Sequence, residues 1–168
     1  MIKGFNNFST INSKVIGSVF AASFVFWVAY LGILFLVVTR KLKVFQAILA
    51  ITASVLSWVI ALFVKSQIPQ PRPFQTNGYP PLTLTVPGDF AFPSAHTAAI
   101  FGLATFIWLA NRKLGIIFFV FAVIVSLGRI ISNVHFPVDV AGGALVGMFI
   151  ALVIDSFVPK GVKKARKR

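Results

Sequence analysis

Long apolar runs alternate with short polar segments along the 168-residue chain. Five runs, at about 15–38, 44–64, 94–110, 114–131 and 138–158, approach the length of roughly 20 residues that a helix needs to cross a bilayer. The fifth run contains Gly142, Gly143 and Gly147, small residues that permit close helix packing. The pattern therefore predicts an all-α fold, a polytopic membrane helical bundle of about five transmembrane helices in a single domain over residues 1–168.

The segment 65–93, between the second and third runs, holds seven of the nine prolines of the chain. That density opposes a regular helix or strand and predicts a loop outside the membrane. Its apolar side chains, among them Phe74, Tyr79 and Phe90, predict that the loop lies against the bilayer surface or over a site. Residues 1–14 are polar and predict a short interfacial segment.

The charged residues indicate how the bundle is oriented. Sixteen Lys and Arg against three Asp give a net charge of +13, and no Cys is present to form a disulfide or a thiolate metal site. In a five-span topology, eleven of the sixteen cations share one side, in segments 40–43 and 112–113 and in the basic tail 159–168. The positive-inside rule predicts a cytoplasmic tail and an extracytoplasmic loop 65–93. The tail suits an anionic membrane surface, so the bilayer rather than nucleic acid is the expected partner.

Polar side chains from separate helix ends are predicted to meet on the extracytoplasmic face. Taken singly, most have ordinary structural explanations, such as a snorkelling lysine or a helix cap. Arg129 is harder to explain, because an arginine this close to hydrocarbon is costly unless it is paired. Only their clustering indicates a site, and its members are Lys65, Arg72, Ser94, His96, Arg129, His135 and Asp139.

This cluster suits a multiply charged oxyanion. Lys65, Arg72 and Arg129 supply three cations, and arginine donates two parallel hydrogen bonds to phosphate. Ser94 and Ala95 open a helix whose first backbone N–H groups lack intrahelical partners and therefore attract an anion. A divalent metal is the alternative, with ligands that would be drawn from His96, His135, Asp139 and Asp89, but three nearby cations would repel it.

The two histidines suit the two halves of phosphoryl transfer. Asp139 follows His135 by four residues, close enough to orient its ring and stabilise the imidazolium. Pro137 lies between them and is expected in the first turn of the fifth helix. His135 is therefore the candidate nucleophile, attacking phosphorus to give a phosphohistidine. His96 is the candidate acid that protonates the departing oxygen and later activates water.

These residues together resemble the signature of the type 2 phosphatidic acid phosphatase family, which is related to the vanadium-dependent haloperoxidases. The motifs stand in the family's order and spacing and cover residues 65–139. They read Lys65, six residues, Arg72-Pro73; Pro93-Ser94-Ala95-His96; and Arg129, five residues, His135, three residues, Asp139. The resemblance implies the catalytic and phosphate-binding roles given above, a helical-bundle membrane fold and no metal or other cofactor. Two positions depart from the family's pattern: Ala95 stands where glycine is frequent, and Gly128 where serine is usual before the arginine.

The small size and the outward-facing site resemble bacterial undecaprenyl-diphosphate phosphatases of the cytoplasmic membrane. This resemblance implies a lipid substrate whose phosphate lies at the interface, with undecaprenyl diphosphate converted to undecaprenyl phosphate plus phosphate. Phosphatidylglycerophosphate, phosphatidate and lipid A phosphates are alternatives that the same cations would accept. A non-catalytic membrane protein that binds lipids or anions is a further alternative, and the sequence leaves the oligomeric state open.

Overall fold

The structure, a computed structural model, describes residues 13–83 and 86–159, with side chains described from residue 24 onward. The regular elements in these ranges are all helices: α1 (Ser13–Val38), α2 (Val44–Gln67), α3 (Pro73–Thr76), α4 (Ala95–Ala110), α5 (Arg112–Ile131) and α6 (Pro137–Ser156). The five long helices coincide with the five predicted runs to within a few residues. The predicted all-α fold is therefore confirmed, while the assignment of all 168 residues to one domain stays a prediction.

Three of the described helices, α2, α5 and α6, are long and apolar enough to cross a membrane. The segment Phe24–Val38 of α1 and the whole of α4 are shorter apolar helices, so their spanning of the bilayer stays a prediction. Large apolar side chains cover the outer faces of the bundle, among them Leu31, Phe63, Ile116 and Leu145. In water such a surface would drive aggregation, whereas in a bilayer it faces lipid.

Helix α4 forms the centre of the bundle. It packs against α2, α5 and α6, while α1 packs mainly against α5. Twelve of its sixteen residues are buried, so neighbouring helices rather than lipid surround it. Asn111 ends α4 and at once begins α5, because its side chain accepts hydrogen bonds from the backbone N–H groups of Lys113 and Leu114. The N-terminal turn of this shielded helix carries Ala95 and His96.

The Pro-rich loop contains one turn of helix, which the sequence analysis did not expect. α3 begins at Pro73, and a proline fits the first helical position because the N–H that it lacks would have no intrahelical partner there. The backbone N–H of Arg72 also donates a hydrogen bond to Oε1 of Gln75, at 2.8 Å. Proline density therefore limits the helix to one turn but does not prevent it.

Hydrogen bonds anchor the loop to the connection between α5 and α6. The backbone N–H of Leu82 donates to the carbonyl oxygen of Ser132 at 2.9 Å. The side-chain amide of Asn133 donates to Asn77 and to the carbonyl oxygen of Tyr79. The loop thereby lies over the end of the bundle, and Thr83, Pro87 and Asp89 enter a cavity wall there. The predicted interfacial segment 1–14 and basic tail 159–168 lie almost entirely outside the described residues.

Helices α4 and α6 approach closely at two glycines. A methyl group on Gly143 would lie 2.4 Å from the carbonyl oxygen of Ser94, and one on Gly147 would lie 2.3 Å from that of Ala98. Both distances are far below van der Waals contact, so no larger side chain fits unless the helices move. The close approach also allows the backbone N–H of Ser94 to donate to the carbonyl oxygen of Asp139 at 2.9 Å. The close packing predicted for the fifth run is therefore confirmed.

We expect Gly147→Ala to destabilise the protein by about 1–3 kcal/mol, because the new methyl group overpacks the contact between α4 and α6. Thermal unfolding in detergent, followed by tryptophan fluorescence, measures the effect. Gly32→Ala in α1 is the matched control, since its methyl group would meet only Phe118, at 3.7 Å. The control should keep or slightly raise the Tm through its better helix propensity. Equal Tm values for the two variants would contradict this account of the packing.

Candidate active site

A cavity of about 390 Å³ lies at the end of the bundle where α2 and α5 end and α4 and α6 begin. Six of the eight predicted site residues contribute to its wall: Lys65, Arg72, Ala95, His96, Arg129 and His135. The remaining two, Ser94 and Asp139, are fully buried. The fold thus brings together, at one end of the bundle, residues from four separate helix ends and the Pro-rich loop.

His135 and Asp139 form a buried pair beside the cavity. Nδ1 of His135 lies 3.5 Å from Oδ2 of Asp139, slightly longer than a hydrogen bond. The same Oδ2 accepts a hydrogen bond from the backbone N–H of Phe136 at 2.8 Å, which fixes the carboxylate. α6 begins at Pro137, as predicted, so the carboxylate belongs to its first turn. This arrangement favours a proton on Nδ1 and leaves Nε2 on the side of Arg72, from whose Nη1 it lies 3.4 Å.

Arg72 joins the Pro-rich loop to the segment between α5 and α6. Its side chain is only 2% exposed. Nη1 donates to the carbonyl oxygen of Val134 at 2.8 Å, and Nε donates to the carbonyl oxygen of Asp89 at 2.8 Å. These bonds hold a permanent positive charge beside Nε2 of His135, the predicted nucleophilic nitrogen.

Asp89 lies between two of the predicted phosphate-binding cations. Its Oδ2 is 2.9 Å from Nζ of Lys65, and its Oδ1 accepts from Nη2 of Arg72 at 2.6 Å. In the sequence, Asp89 is a candidate only for the alternative metal site. An acidic residue in a Pro-rich loop carries no periodic signal, so only its rarity, as one of three acidic residues in the chain, could have singled it out.

Arg129 enters the cavity wall from the last turn of α5. Its Nε is buried and has no hydrogen-bond partner within the part of the chain that the structure describes. A buried donor left unpaired costs free energy, and the cost is greater for a charged group. An oxyanion bound in the cavity would supply the missing acceptor.

Ser94 and Ala95, at the N-terminal end of α4, have different surroundings. Ala95 lies in the wall, where the first backbone N–H groups of the helix have no intrahelical partners. The hydroxyl of Ser94 instead accepts a hydrogen bond from Thr97 at 3.1 Å, and Thr97 accepts one from Ser126 at 3.4 Å. The contact of Ser94 with phosphate stays a prediction. Thr83, which the motifs in the sequence did not identify, brings a hydroxyl-bearing residue into the wall.

His96 lies at the border between the polar cavity and an apolar groove. Its ring centroid is 4.6 Å from that of Trp58 and 5.3 Å from that of Phe26, with tilted ring planes. The groove has a volume of about 320 Å³ and runs between α1, α2 and α4. His96, Trp27 and Trp58 line both the groove and the cavity. The predicted acid thus contacts both a polar and an apolar compartment.

The surrounding charges shift the pKa values of Asp89 and His135. Burial alone would raise the pKa of Asp89, but hydrogen bonds and charges from Lys65 and Arg72 outweigh it and keep the pKa below its ordinary value. Burial, together with the charges of Arg72, Arg129 and Lys65, lowers the pKa of His135 to about 4, although the partner Asp139 opposes this shift. His135 is therefore neutral near pH 7, the form that a nucleophile requires.

The structure shows where the candidate ligands of the alternative divalent-metal site lie. Within the described ranges, no group of three His, Asp or Glu side chains is arranged to hold a metal ion. Asp89, one of the four candidate ligands, is paired with Lys65 and Arg72 instead. The donor set of the cavity therefore fits an anion better than a cation.

The sequence pattern of the PAP2 superfamily matches residues 43–163, most of the chain. The chain belongs to the PAP2 superfamily. Bacitracin transport permease protein BcrC of Bacillus licheniformis is 32% identical over 142 residues, which cover 84% of this chain and 70% of the relative. Undecaprenyl-diphosphatase BcrC of Bacillus subtilis is 29% identical over 119 residues, 71% of this chain and 59% of the relative. The chain therefore spans less than two thirds of the B. subtilis relative.

Two solved structures of superfamily members resemble the chain. Aquifex aeolicus LpxE superposes with a TM-score of 0.64 at 28% identity, over 82% of this chain and 87% of that chain. A transmembrane PAP2 type phosphatidylglycerolphosphate phosphatase from Bacillus subtilis superposes with a TM-score of 0.59 at 23% identity, over 87% and 75% of the two chains. The latter likeness concerns the fold alone. The predicted family, membrane helical fold and hydrolase class are confirmed.

We expect the stability of the protein to fall as the pH drops from 6.5 towards 4. In this window the unfolded state binds a proton at His135 that the folded state, with its lowered pKa of about 4, does not bind. Acidification therefore favours unfolding, by up to roughly 3 kcal/mol over the window. The Tm in detergent, measured across this range, should fall less steeply for His135→Asn than for wild type. Both proteins contain His96, so its contribution to the slope is common to the two. Identical slopes would show that His135 is not buried in its neutral form.

Proposed function

We propose that this protein dephosphorylates a membrane lipid phosphate or diphosphate through a phosphohistidine intermediate, without a metal. The observation that carries the proposal is the cavity wall that unites three cations with both histidines of the chain. Cations can stabilise the charge on the oxygens of a transferring phosphoryl group, which is the main catalytic need of this reaction. A nucleophile and an acid are the remaining requirements.

In the first step, Nε2 of His135 attacks phosphorus and the bond from phosphorus to the lipid-side oxygen breaks. His96 gives a proton to that oxygen, so the lipid leaves as an alcohol or as a lipid phosphate. Asp139, 3.5 Å from Nδ1, stabilises the positive charge that develops on the imidazole. Lys65, Arg72 and Arg129 surround the phosphoryl oxygens.

In the second step, water attacks the phosphorus of the phosphohistidine. His96, now neutral, takes the proton from that water, and the bond between phosphorus and Nε2 of His135 breaks. Inorganic phosphate leaves, and both histidines return to their starting protonation states.

The apolar groove supports a lipid substrate. Its lining is mostly apolar, and the two hydroxyl-bearing side chains in it, Tyr30 and Ser54, hydrogen-bond to each other at 2.6 Å. No charged side chain other than a titratable His96 is among the groove residues. A hydrocarbon chain in the groove would place its phosphate beside His96, in the polar cavity.

Among lipids, we propose undecaprenyl diphosphate as the substrate. The support is the similarity to the Bacillus subtilis relative named for this activity. Lipid A phosphates, phosphatidylglycerophosphate and phosphatidate are alternatives, because their phosphates would meet the same cations. We also propose a bacterial cytoplasmic membrane location, with the site on the extracytoplasmic side, as the distribution of Lys and Arg favours.

The purified protein in detergent should release phosphate from this substrate in the presence of a chelator. His135→Ala should abolish release, because no nucleophile remains, and His96→Ala should lower kcat about 100- to 10,000-fold. Arg129→Ala should cost about 100-fold through lost charge stabilisation. Arg112→Ala, at the opposite end of the same helix, is the matched control and should retain activity.

The same assay compares the rates of phosphate release from undecaprenyl diphosphate, phosphatidylglycerophosphate, phosphatidate and lipid A. The lipid with the highest rate is the preferred substrate. Full activity of His135→Ala would contradict the phosphohistidine route. Loss of activity in chelator, restored by a divalent ion, would support a metal mechanism. No phosphate release from any lipid, with lipid still bound, would favour the non-catalytic alternative.

A bulky residue in the groove should weaken catalysis on long-chain lipids alone. Val59 lines the groove and is about half exposed, so Val59→Trp narrows the groove at little cost to folding. Excluding about two methylene-sized groups of the chain loses roughly 1.6 kcal/mol, so kcat/KM should fall about tenfold. Ile60→Trp, on the neighbouring position outside the groove, is the control. A short soluble phosphate monoester should be hydrolysed equally by both variants, and an equal loss on both substrates would contradict the groove assignment.

A further inference from the structure

The carboxylate of Asp89 lies where two of the cavity's cations would meet a bound phosphate. Its two oxygens are separately engaged, Oδ2 with Lys65 at 2.9 Å and Oδ1 with Arg72 at 2.6 Å. Two oxygens of a phosphate would make the same two contacts. A headgroup therefore competes with Asp89 for these cations.

Asp89 is the exposed member of this ion-paired cluster. Its side chain is 48% exposed, whereas those of Lys65 and Arg72 are 5% and 2% exposed. The carboxylate can turn outward into water without uncovering the bundle, but the two cations cannot leave without being pulled out of it. Arg72 would still donate through Nε to the backbone carbonyl oxygen of Asp89, so the loop could keep its position while the side chain moves.

We propose that Asp89 is a tethered competitor for these two cations, which keeps weakly bound, singly charged phosphodiester headgroups out of the site and yields to headgroups with a terminal phosphate. The inference rests on the proposed function, because it concerns which lipids reach the same catalytic cavity. Asp89 acts by occupying the cations, so a headgroup enters only when it binds them better than the carboxylate does.

Charge decides this competition. A phosphodiester carries one negative charge, as the carboxylate does, so replacing Asp89 with a diester exchanges one monoanion for another that is bulkier. A terminal phosphate carries about −1.5 to −2 near pH 7 and has three acceptor oxygens. The Coulomb energy grows with the charge, and Arg129, in the same cavity wall, is a third cation that the carboxylate of Asp89 does not pair with.

A membrane enzyme needs this discrimination more than a soluble one. Ordinary phospholipids with phosphodiester headgroups form the surface in which the site lies, so they outnumber any lipid with a terminal phosphate. By mass action, even weak binding of the surrounding lipid would occupy an unguarded cation site. The carboxylate of Asp89 is tethered in the site, so it opposes such binding whatever the concentration of any free competitor.

A purely structural role for Asp89 predicts something different. If the carboxylate only held Lys65 and Arg72 in place, then removing its charge would lower kcat and weaken the binding of every anion. If it competes with ligands, removing its charge should tighten the binding of every anion that has to displace it, diesters included. Asp89→Asn separates the two roles, because it keeps the size of the side chain and an acceptor for Arg72.

The experiment measures phosphate release from undecaprenyl diphosphate in mixed micelles containing increasing phosphatidylglycerol. Diacylglycerol at the same mole fraction controls for dilution of the substrate at the micelle surface. We expect phosphatidylglycerol to inhibit Asp89→Asn with a Ki at least about tenfold lower than for wild type. Inhibition by inorganic phosphate should tighten by a similar factor, because both anions have to displace the same carboxylate. Asp155→Asn, which removes a negative charge at the far end of α6, should match wild type.

Direct binding of phosphatidylglycerol, measured by the shift in Tm that it causes, serves if Asp89→Asn turns over too slowly. Tighter binding by the variant than by wild type supports the proposal. An unchanged or weaker affinity for phosphatidylglycerol in Asp89→Asn, with wild type active, overturns it and leaves the proposed function intact. Absence of phosphate release by wild type from every lipid tested overturns the proposed function itself.

Discussion

Positive charge gathered at the end of an apolar bundle is the constraint on which the site depends. Lys65 and Arg72 are almost fully buried, and Nε of Arg129 is buried without a partner among the described residues. Like charges held together away from water repel strongly. Asp89 and the backbone carbonyl oxygens relieve part of that repulsion, and a bound anion would relieve the rest. A site of this kind selects its ligands by charge first.

The packing around α4 keeps these charges in register. Because Gly143 and Gly147 let α6 lie directly against α4, the backbones at Ser94 and Asp139 are joined by a hydrogen bond. That bond fixes the first turn of α4, which carries His96, relative to the first turn of α6, which carries Asp139. Since neighbouring helices shield α4 from lipid, a helix of only sixteen residues suffices at the centre. The two glycine contacts thus hold in register the two helix starts that contribute residues to the site.

The sequence predicted what depends on local spacing. Hydrophobic runs fixed the five long helices, and the motifs around Lys65, His96 and His135 identified six residues of the cavity wall. It did not predict the role of Asp89 or the presence of Thr83. Their positions depend on hydrogen bonds between distant segments, such as Leu82 to Ser132 and Ala91 to Gln70, which leave no periodic pattern in a Pro-rich loop.

The two compartments that meet at His96 give the proposed reaction a direction. The polar cavity holds the cations and His135, whereas the groove is apolar, so phosphoryl oxygens and hydrocarbon are drawn to opposite sides of the His96 ring. The oxygen that joins phosphorus to the lipid must then lie at the border, beside the only described titratable side chain that both compartments share. In the proposed reaction, His96 would therefore deliver its proton to the bond that has to break, while the phosphoryl group would stay with His135 and the lipid would withdraw along the groove. Aromatic packing by Trp58 and Phe26 keeps the ring at that border.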